Sequence, residues 1–397
     1  MSGGGLSETR LERMHDTMAW YVERGHVPGM VTLVARRDDV AVDVIGAKSV
    51  GGGPMRRGTI FRIASMTKPV AAVAAMLLVE ECALRLDDPV DALLPELSDG
   101  TVLRSIDGPL DDIVPAGRSI TLRDLLTLRM GLGAIFAPPG QYPIQRAMDE
   151  RGLSPGPNMP ALPPDEWMRR LGELPLVHQP GEGWMYDTGS DVLGVLISRA
   201  TGRTLEEFFT ERIFGPLSMH DTGFRVPEAK LDRLSDCYGA DPETGTLEIF
   251  DAAEDSLWAR PPVFESGAGG LVSTVDDYLA FCKMLLGKGA YGGERILSRP
   301  SVELMTTDHL TEGQRSGGEI LLGDGVGWGF GMSVVSERTG LATPGTFGWD
   351  GGYTTSGYSD PEEEMVGVIM TQLLAGHEIS NAIYRDFWTS MYQTLDD

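Results

Sequence analysis

Strand-like segments lie near the two ends of this chain, whereas its long middle has a mainly helical pattern. Two short runs rich in β-branched residues, Met30 to Ala35 and Val40 to Ile45, flank a polar turn, which is typical of a β-hairpin. Three further strand-like runs follow towards the C-terminus, at Gly329 to Val335, Gly345 to Trp349 and Met365 to Thr371. This order predicts an α+β fold: an antiparallel sheet built from the N- and C-terminal segments, flanked by helices, with a mainly helical inserted domain.

Length and helical periodicity give the expected domain boundaries. A chain of 397 residues has room for two or three units of about 150 residues each. We expect a discontinuous sheet domain formed by residues 1–70 and 286–397, and a mainly helical domain with long loops formed by residues 71–285. The clearest helical patterns run from Leu6 to Arg24, from Ala71 to Glu81 and from Ile379 to Leu395.

One segment of the helical domain is unusually rich in proline. Residues Gly133 to Pro164 hold eight of the 25 prolines and predict a long loop. A long loop inside a compact domain is usually functional, as a lid or as the wall of a binding site. We therefore name Phe136 and Tyr142, and Trp167 just after this segment, as candidate wall residues that contact substrate.

Composition and charge exclude several classes of function. Asp and Glu outnumber Lys and Arg by 58 to 33, which gives a net charge of −25, and the basic residues do not cluster. Such a surface repels a phosphate backbone, so we expect no nucleic-acid partner. The longest apolar run, Pro69 to Val79, has about half of the ~20 residues that cross a bilayer. With no apolar signal-peptide core at the start, we expect a cytoplasmic protein without a membrane partner. The sequence leaves the oligomeric state open.

The cysteines and histidines predict no metal centre. Cys82, Cys237 and Cys282 are far apart and lack metal-ligand spacing, so we expect small buried hydrophobes in a reducing compartment. The six histidines form neither zinc spacing nor a recognisable Ser-His-Asp setting. We therefore expect no metal and no other cofactor.

The segment Ser65-Met66-Thr67-Lys68 is the sharpest chemical feature of the sequence. Residues three apart lie on one face of a helix, so the Ser65 hydroxyl and the Lys68 amine can meet. Pro69 indicates that Ser65 lies near the helix start, where free N–H groups and the helix dipole favour an anionic oxygen. The alternative is that Ser65 only caps the helix, since Ser-x-x-Lys also recurs by chance.

A serine needs a base to become a strong nucleophile. To act as that base, Lys68 needs its pKa lowered by roughly three units from the ordinary ~10.4. A tyrosine beside the pair could relay the proton instead, and Tyr186 is the candidate because it follows a Pro/Gly loop and precedes a helix starting near Asp191. The alternative is a Tyr186 that only packs under the loop. The sequence does not decide whether Tyr186 or Lys68 is the base.

These motifs together resemble a known superfamily. The segment Phe61 to Lys68 resembles the nucleophile motif of the serine β-lactamases and penicillin-binding proteins, and within them the class C β-lactamase-like branch that includes the family VIII carboxylesterases. Gly183 to Gly194 resembles the tyrosine motif of that branch, and Ser266 to Thr274 its glycine-rich entry to a late helix. Gly345 to Gly352 stands where β-lactamases carry Lys-Thr-Gly and the esterases Trp-Gly-Gly. The four motifs match in order and spacing over nearly the whole chain.

The resemblance implies roles for particular residues. Ser65 would be the acylated nucleophile, Lys68 its hydrogen-bonded partner and Tyr186 the general base. The backbone N–H groups of Ser65 and Gly352 would form the oxyanion hole, and water would then hydrolyse the acyl-enzyme.

Departures from the β-lactamase pattern favour a neutral ester substrate. Trp349 replaces the lysine that grips the substrate carboxylate, and Thr188 replaces a side-chain amide that many lactamases use. Asp350 adds a negative charge, although alternation along a strand would also allow it to face outward. We expect Trp349, Asp350, Gly351 and Thr188 to contact the substrate.

Other functions on the same scaffold stay open at this point. A small-molecule ester is the expected substrate, with a β-lactamase, a D-amino-acid peptidase or amidase, and an acyltransferase as alternatives. An inactive binding scaffold is a further alternative. Gly152-Leu153-Ser154-Pro155-Gly156 matches an esterase signature, but Pro155 has no N–H to donate to an oxyanion, so Ser154 is not the expected nucleophile.

Overall fold

An antiparallel sheet of seven strands joins the two ends of the chain in the computed structural model, which describes residues 5–241 and 244–396. The strands, in chain order, are β1 (Gly29–Arg36), β2 (Asp39–Gly46), β3 (Phe61–Arg62), β4 (Thr101–Leu103), β5 (Ile113–Pro115), β6 (Cys237–Ala240), β7 (Leu247–Asp251), β8 (Val272–Ser273), β9 (Ala290–Tyr291), β10 (Glu294–Arg295), β11 (Val326–Trp328), β12 (Ser333–Val335), β13 (Phe347–Gly351), β14 (Thr355–Asp360) and β15 (Met365–Met370). The sheet has the order β11-β12-β13-β14-β15-β1-β2.

Helices cover both faces of this sheet and fill the long middle of the chain. They are α1 (Glu8–Glu23), α2 (Thr67–Glu80), α3 (Leu122–Leu126), α4 (Pro143–Glu150), α5 (Pro164–Gly172), α6 (Thr188–Thr201), α7 (Leu205–Phe209), α8 (Val275–Leu286), α9 (Arg299–Met305), α10 (Glu312–Arg315), α11 (Glu319–Leu322) and α12 (Glu378–Gln393). A 3₁₀ turn, Ala64–Met66, leads directly into α2. Helix α8 lies almost entirely within the predicted helical domain, yet it packs against β14 and β15 of the sheet. The boundaries proposed for the two domains, at residues 70/71 and 285/286, stay a prediction.

Strand β1, next to the edge strand β2, shows how apolar residues pack on both faces of the sheet. It pairs with β2 in a hairpin and with β15 from Val31 opposite Met370 to Arg36 opposite Met365. Alternate residues point to opposite faces of a strand. Leu33 therefore joins the apolar core that contains α2 and α8, whereas Val34 joins the core under α1 and α12. This architecture confirms the predicted α+β fold with a sheet made from both ends of the chain.

Several predicted segments differ in detail from the structure. The predicted strand Gly329 to Val335 is in fact the turn and second strand of a hairpin between β11 and β12. The long loop Gly133 to Pro164 contains the helix α4, whose apolar residues pack into the core. Cys237 and Cys282 are buried as predicted, but the prediction was wrong for Cys82, which is exposed just after the end of α2.

Strand β14 was missed because its sequence has no apolar alternation. It consists of Thr, Ser, Gly, Tyr, Ser and Asp, yet nearly all of it is buried. Gly357 explains the burial on one face, since a Cβ there would lie 2.5 Å from the Tyr278 ring of α8. A small residue is needed for this close approach of helix and sheet. The burial of β14 therefore comes from its partners and not from its own hydropathy.

Candidate active site

Ser65 lies in the 3₁₀ turn before α2 and lines a cavity of about 590 Å³. The residue before it, Ala64, has a φ of +41°, a conformation that non-glycine residues adopt at a cost. Strand β13 passes so close to this turn that a Cβ at Gly351 would lie 2.3 Å from the Ile63 carbonyl oxygen. The close approach of β13 brings the following residue, Gly352, into the wall of the same cavity as Ser65.

Lys68 lies one helical turn further on and is only 1% exposed. Its ammonium group has three hydrogen-bond acceptors around it. The Nζ atom is 3.0 Å from Ser65 Oγ, 2.6 Å from Asp187 Oδ1 and 2.8 Å from the Ala268 carbonyl oxygen. An ammonium group has three N–H donors, so this set satisfies all of them.

The charge state of Lys68 follows from these partners. Burial lowers the pKa of Lys68, but the charges of Asp187 and Tyr186 and the hydrogen bonds to both raise it more. The pKa of Lys68 therefore lies above its ordinary value, the opposite of the lowering that a lysine base requires. Lys68 is therefore an ammonium ion at neutral pH, and in that state it donates to Ser65 Oγ and cannot accept the serine proton.

Tyr186 lies between the serine–lysine pair and a group of tryptophans. Burial raises the pKa of its phenol and the charge of Lys68 lowers it. The charge of Asp187 raises this pKa further, hydrogen bonds from Ser65 and Trp349 lower it, and the net shift is upward. The Lys68 Nζ is 4.4 Å from the centre of the Tyr186 ring. The indole N–H of Trp349 donates to Tyr186 Oη at 2.7 Å, and the Trp349 ring packs edge-on against Trp328. Trp349 thus contacts the phenol and is not among the residues lining the cavity.

Thr188, a predicted substrate contact, has a buried hydroxyl group that is available to a ligand in the cavity. It is 2% exposed and lines the cavity. Within the described part of the chain, its Oγ1 has no hydrogen-bond partner. A buried hydroxyl without a partner is costly unless something in the cavity satisfies it.

Of the remaining predicted site residues, two line the cavity and the others lie in the core or on the sheet. Phe136, which is 45% exposed, and Trp167 line the cavity, whereas Tyr142 packs against the main apolar core. Asp350 accepts hydrogen bonds from Ser356 and Tyr358 on the neighbouring strand, away from the cavity, and burial raises its pKa to about 6. Gly351 lies behind the Ser65 turn. The structure therefore brings neither Tyr142, Asp350 nor Gly351 into the cavity wall.

The cavity has apolar walls and carries negative charge. Its larger apolar side chains are Phe136, Leu153, Met159, Trp167, Tyr353 and Leu374. Three carboxylates, those of Asp149, Asp187 and Asp191, also line it, and no Lys, Arg or His does so among the described residues. A smaller cavity of about 380 Å³ beside β4 and α5 contains none of the predicted site residues. In the ranges that the structure describes, no three His, Cys, Asp or Glu side chains gather as metal ligands, and no helix could cross a bilayer.

Asp187 is the site residue that sequence reasoning missed. It stands directly between two residues that were singled out, Tyr186 and Thr188, at the N-cap position of α6. An Asp at that position is usually a helix cap, so the sequence alone offers no sign of its contact with Lys68. The Ala268 carbonyl was also missed, although it lies in the glycine-rich stretch that had been noted.

A second carboxylate, Asp191, is buried one turn along α6. Its Oδ1 accepts hydrogen bonds from Ser266 Oγ at 2.6 Å and from the Ala268 N–H at 3.0 Å. Burial, and then the charge of Asp187, raises the pKa of Asp191 to about 7. Asp191 therefore holds the loop that contains the Ala268 carbonyl, which accepts a hydrogen bond from Lys68. Because the pKa of Asp191 is raised, ionising its carboxyl group at neutral pH destabilises the folded state.

The Asp191→Asn variant is expected to gain stability relative to the natural chain as pH rises. Because the folded pKa of about 7 exceeds the unfolded ~3.9, the ionisation penalty is absent at low pH and complete above pH 7. The difference in free energy of unfolding between variant and natural chain should be about 2 kcal/mol larger at pH 8 than at pH 5.5. Urea unfolding at both pH values measures it, with the exposed Asp88→Asn as control. A difference that does not change with pH would contradict the raised pKa.

The chain is similar to known proteins in family, in sequence and in structure. The family model Beta-lactamase matches residues 14–386. Protein Rv1367c of Mycobacterium tuberculosis is 40% identical over 360 residues, covering 88% of this chain and 87% of that protein. Esterase EstB of Burkholderia gladioli is 31% identical over 356 residues, covering 84% and 82%. The solved structure of EstCE1, described as a hydrolase with promiscuous acyltransferase activity, covers 98% of this chain and 99% of its own, with a TM-score of 0.81 and 24% identity.

Proposed function

Because this chain belongs to the beta-lactamase family of serine hydrolases, which has esterases and acyltransferases among its members, we propose that it is a carboxylesterase for small neutral acyl esters. The observation that carries this proposal is the contact of Ser65 Oγ with the Lys68 ammonium at 3.0 Å, beside the Tyr186 phenol. Ser65 and Tyr186 line a cavity whose size suits a small molecule, and Lys68 is buried behind them.

Acylation would begin with attack of Ser65 Oγ on the carbonyl carbon of the ester. The Ser65 proton passes to Oη of Tyr186 in its phenolate form. The Lys68 ammonium stabilises that phenolate before the transfer and the Ser65 oxygen as it becomes negative. The backbone N–H groups of Ser65 and Gly352 would donate to the oxyanion of the tetrahedral intermediate. The bond between the carbonyl carbon and the alcohol oxygen then breaks, and Tyr186 returns a proton to the leaving alcohol.

Deacylation would repeat these steps with water in place of the serine. A water molecule gives a proton to Tyr186 as its oxygen attacks the acyl carbon. The bond to Ser65 Oγ breaks, Ser65 recovers its proton, and the carboxylic acid leaves. A carboxylate product is repelled by the acidic cavity, which favours its release.

The charge of the cavity supports a neutral substrate over an anionic antibiotic. Asp149 and Asp191 line it in addition to Asp187, whose charge Lys68 balances, and no Lys, Arg or His is among the described lining residues. The Lys68 charge is already paired with Asp187. A β-lactam carboxylate would therefore find no partner, whereas the acyl and alkyl groups of a neutral ester can pack against the apolar walls.

Turnover of two chromogenic substrates, together with covalent labelling, tests this proposal. We expect kcat/KM for p-nitrophenyl butyrate to exceed that for nitrocefin, an anionic β-lactam, by orders of magnitude. A fluorophosphonate should label the folded chain on the peptide that contains Ser65, as located by mass spectrometry, and should not label a heat-unfolded sample. Nitrocefin turnover above ester turnover would favour a β-lactamase, and absence of both label and turnover would favour a binding scaffold.

A further inference from the structure

The backbone at Asp187 adopts a rare and strained turn. Its φ of +82° and ψ of −73°, together with a hydrogen bond of 3.2 Å from the Thr188 N–H to the Tyr186 carbonyl, define a classic γ-turn. Non-glycine residues adopt this conformation at a cost, and such strain concentrates at functional sites. The turn joins three neighbouring residues that all line the cavity.

The side chain of Asp187 does not perform the task that its position predicts. An Asp at the N-cap usually accepts a hydrogen bond from an N–H in the first helical turn. The Asp187 carboxylate makes no such cap bond to α6. It accepts instead from the Lys68 ammonium at 2.6 Å, the shortest of the three Lys68 contacts. The strained turn therefore directs a carboxylate towards a buried lysine at the expense of helix capping.

This ion pair sets both the position and the charge of Lys68. The lysine is 1% exposed, so without a counter-charge its ammonium form would be strongly disfavoured. With Asp187 and the Ala268 carbonyl holding two of its N–H groups, the third is directed at Ser65 Oγ. A neutral Lys68 could accept the serine proton, whereas the ammonium can only donate to the serine oxygen.

We propose that Asp187 is a positioning residue that holds Lys68 as an ammonium ion aimed at Ser65, and thereby assigns the role of base to Tyr186. This inference rests on the proposed acyl transfer at Ser65. Asp187 would not itself react with the substrate. It would act through Lys68, whose charge stabilises the Tyr186 phenolate and then the Ser65 oxygen as it becomes negative.

Other ionisable groups lie near Lys68 and Tyr186 and interact with them electrostatically. Asp191, on the next turn of α6, adds negative charge that interacts with both Asp187 and Lys68. Tyr358 on β14 and Tyr384 on α12 interact electrostatically with Tyr186. Asp187 remains distinct from these groups, because it alone among them forms a hydrogen-bonded ion pair with the lysine.

The pH profile of Asp187→Asn is the test. Asparagine keeps an oxygen near Lys68 but removes the charge that raises the pKa of both Lys68 and Tyr186. In the natural chain we expect kcat/KM for p-nitrophenyl butyrate to rise with pH into the alkaline range, as the site loses a proton. In Asp187→Asn this rise should move to lower pH by at least one unit. The rate of fluorophosphonate labelling should follow the same shift.

Two further variants make the result decisive. Asp187→Gly removes the carboxylate and adopts a φ of +82° without strain, so it replaces the asparagine variant if that chain fails to fold. Asp88→Asn removes one exposed charge elsewhere and should leave the profile unmoved. An unmoved profile in both Asp187 variants, even with a lower rate, would overturn the positioning role alone. A natural chain without ester turnover or label would overturn the proposed function as well.

Discussion

Replacing Ser65 with alanine is expected to lower kcat/KM for p-nitrophenyl butyrate by at least about 10⁴-fold and to abolish fluorophosphonate labelling. The Ser65 hydroxyl lines the cavity and accepts a hydrogen bond from the buried Lys68 at 3.0 Å, and no acyl-enzyme can form without it. The cavity, Gly352 and the ammonium remain, so some turnover above the uncatalysed rate should persist. Circular dichroism and urea unfolding check that the variant keeps its fold.

Ser154→Ala is the matched control for this experiment. Ser154 belongs to the Gly-x-Ser-x-Gly pattern and lines the same cavity as Ser65. Its neighbour Pro155 has no N–H for an oxyanion, and Ser154 Oγ contacts a carboxylate, that of Asp149, at 3.5 Å. We expect Ser154→Ala to take the label like the natural chain. Label retained in Ser65→Ala and lost in Ser154→Ala would exchange the roles of the two serines.

The parts of this fold that were predictable have strong local patterns. The hairpin of β1 and β2 follows from two β-branched runs around a polar turn, and α1 and α12 follow from apolar residues at helical spacing. The resemblance to serine β-lactamases and penicillin-binding proteins is confirmed by the family match over residues 14–386. Its four motifs are separated by long stretches of chain. Their common order predicted the fold, because only a particular fold brings such distant motifs together in one site.

The parts that were not predictable depend on contacts between distant segments. Strand β14 has a polar sequence and is buried only because Tyr278 of α8 covers Gly357. Contact of Trp349 with substrate stays a prediction, and no local pattern of residues indicates the hydrogen bond from its indole N–H to Tyr186 on a distant segment. The pKa of Lys68 is raised by the Asp187 carboxylate, which a γ-turn directs towards the lysine, and no local pattern of residues indicates that turn.

Tyr186→Phe is expected to lower kcat for the ester by 10²–10⁴-fold, because it removes the oxygen that accepts the serine proton; the Trp349 indole N–H loses its acceptor at the same time. The ring keeps its packing against Trp184, Trp328 and Trp349, so binding of substrate and the fold should change little. Lys68 cannot take over as base while Asp187 holds it as an ammonium ion. Steady-state kinetics of the purified variant measure the effect on kcat and KM separately.

Tyr142→Phe provides the comparison for this loss of a phenol. Tyr142 stands at the start of α4 and packs against the main core, away from the Ser65 cavity, so its variant should keep kcat within about two-fold. If Tyr186→Phe also kept near-normal turnover, the proton of Ser65 would have to pass to Lys68. That result would require the lysine to lose its own proton first, against the charge of Asp187, and it would therefore overturn both the assignment of the base and the reason given for it.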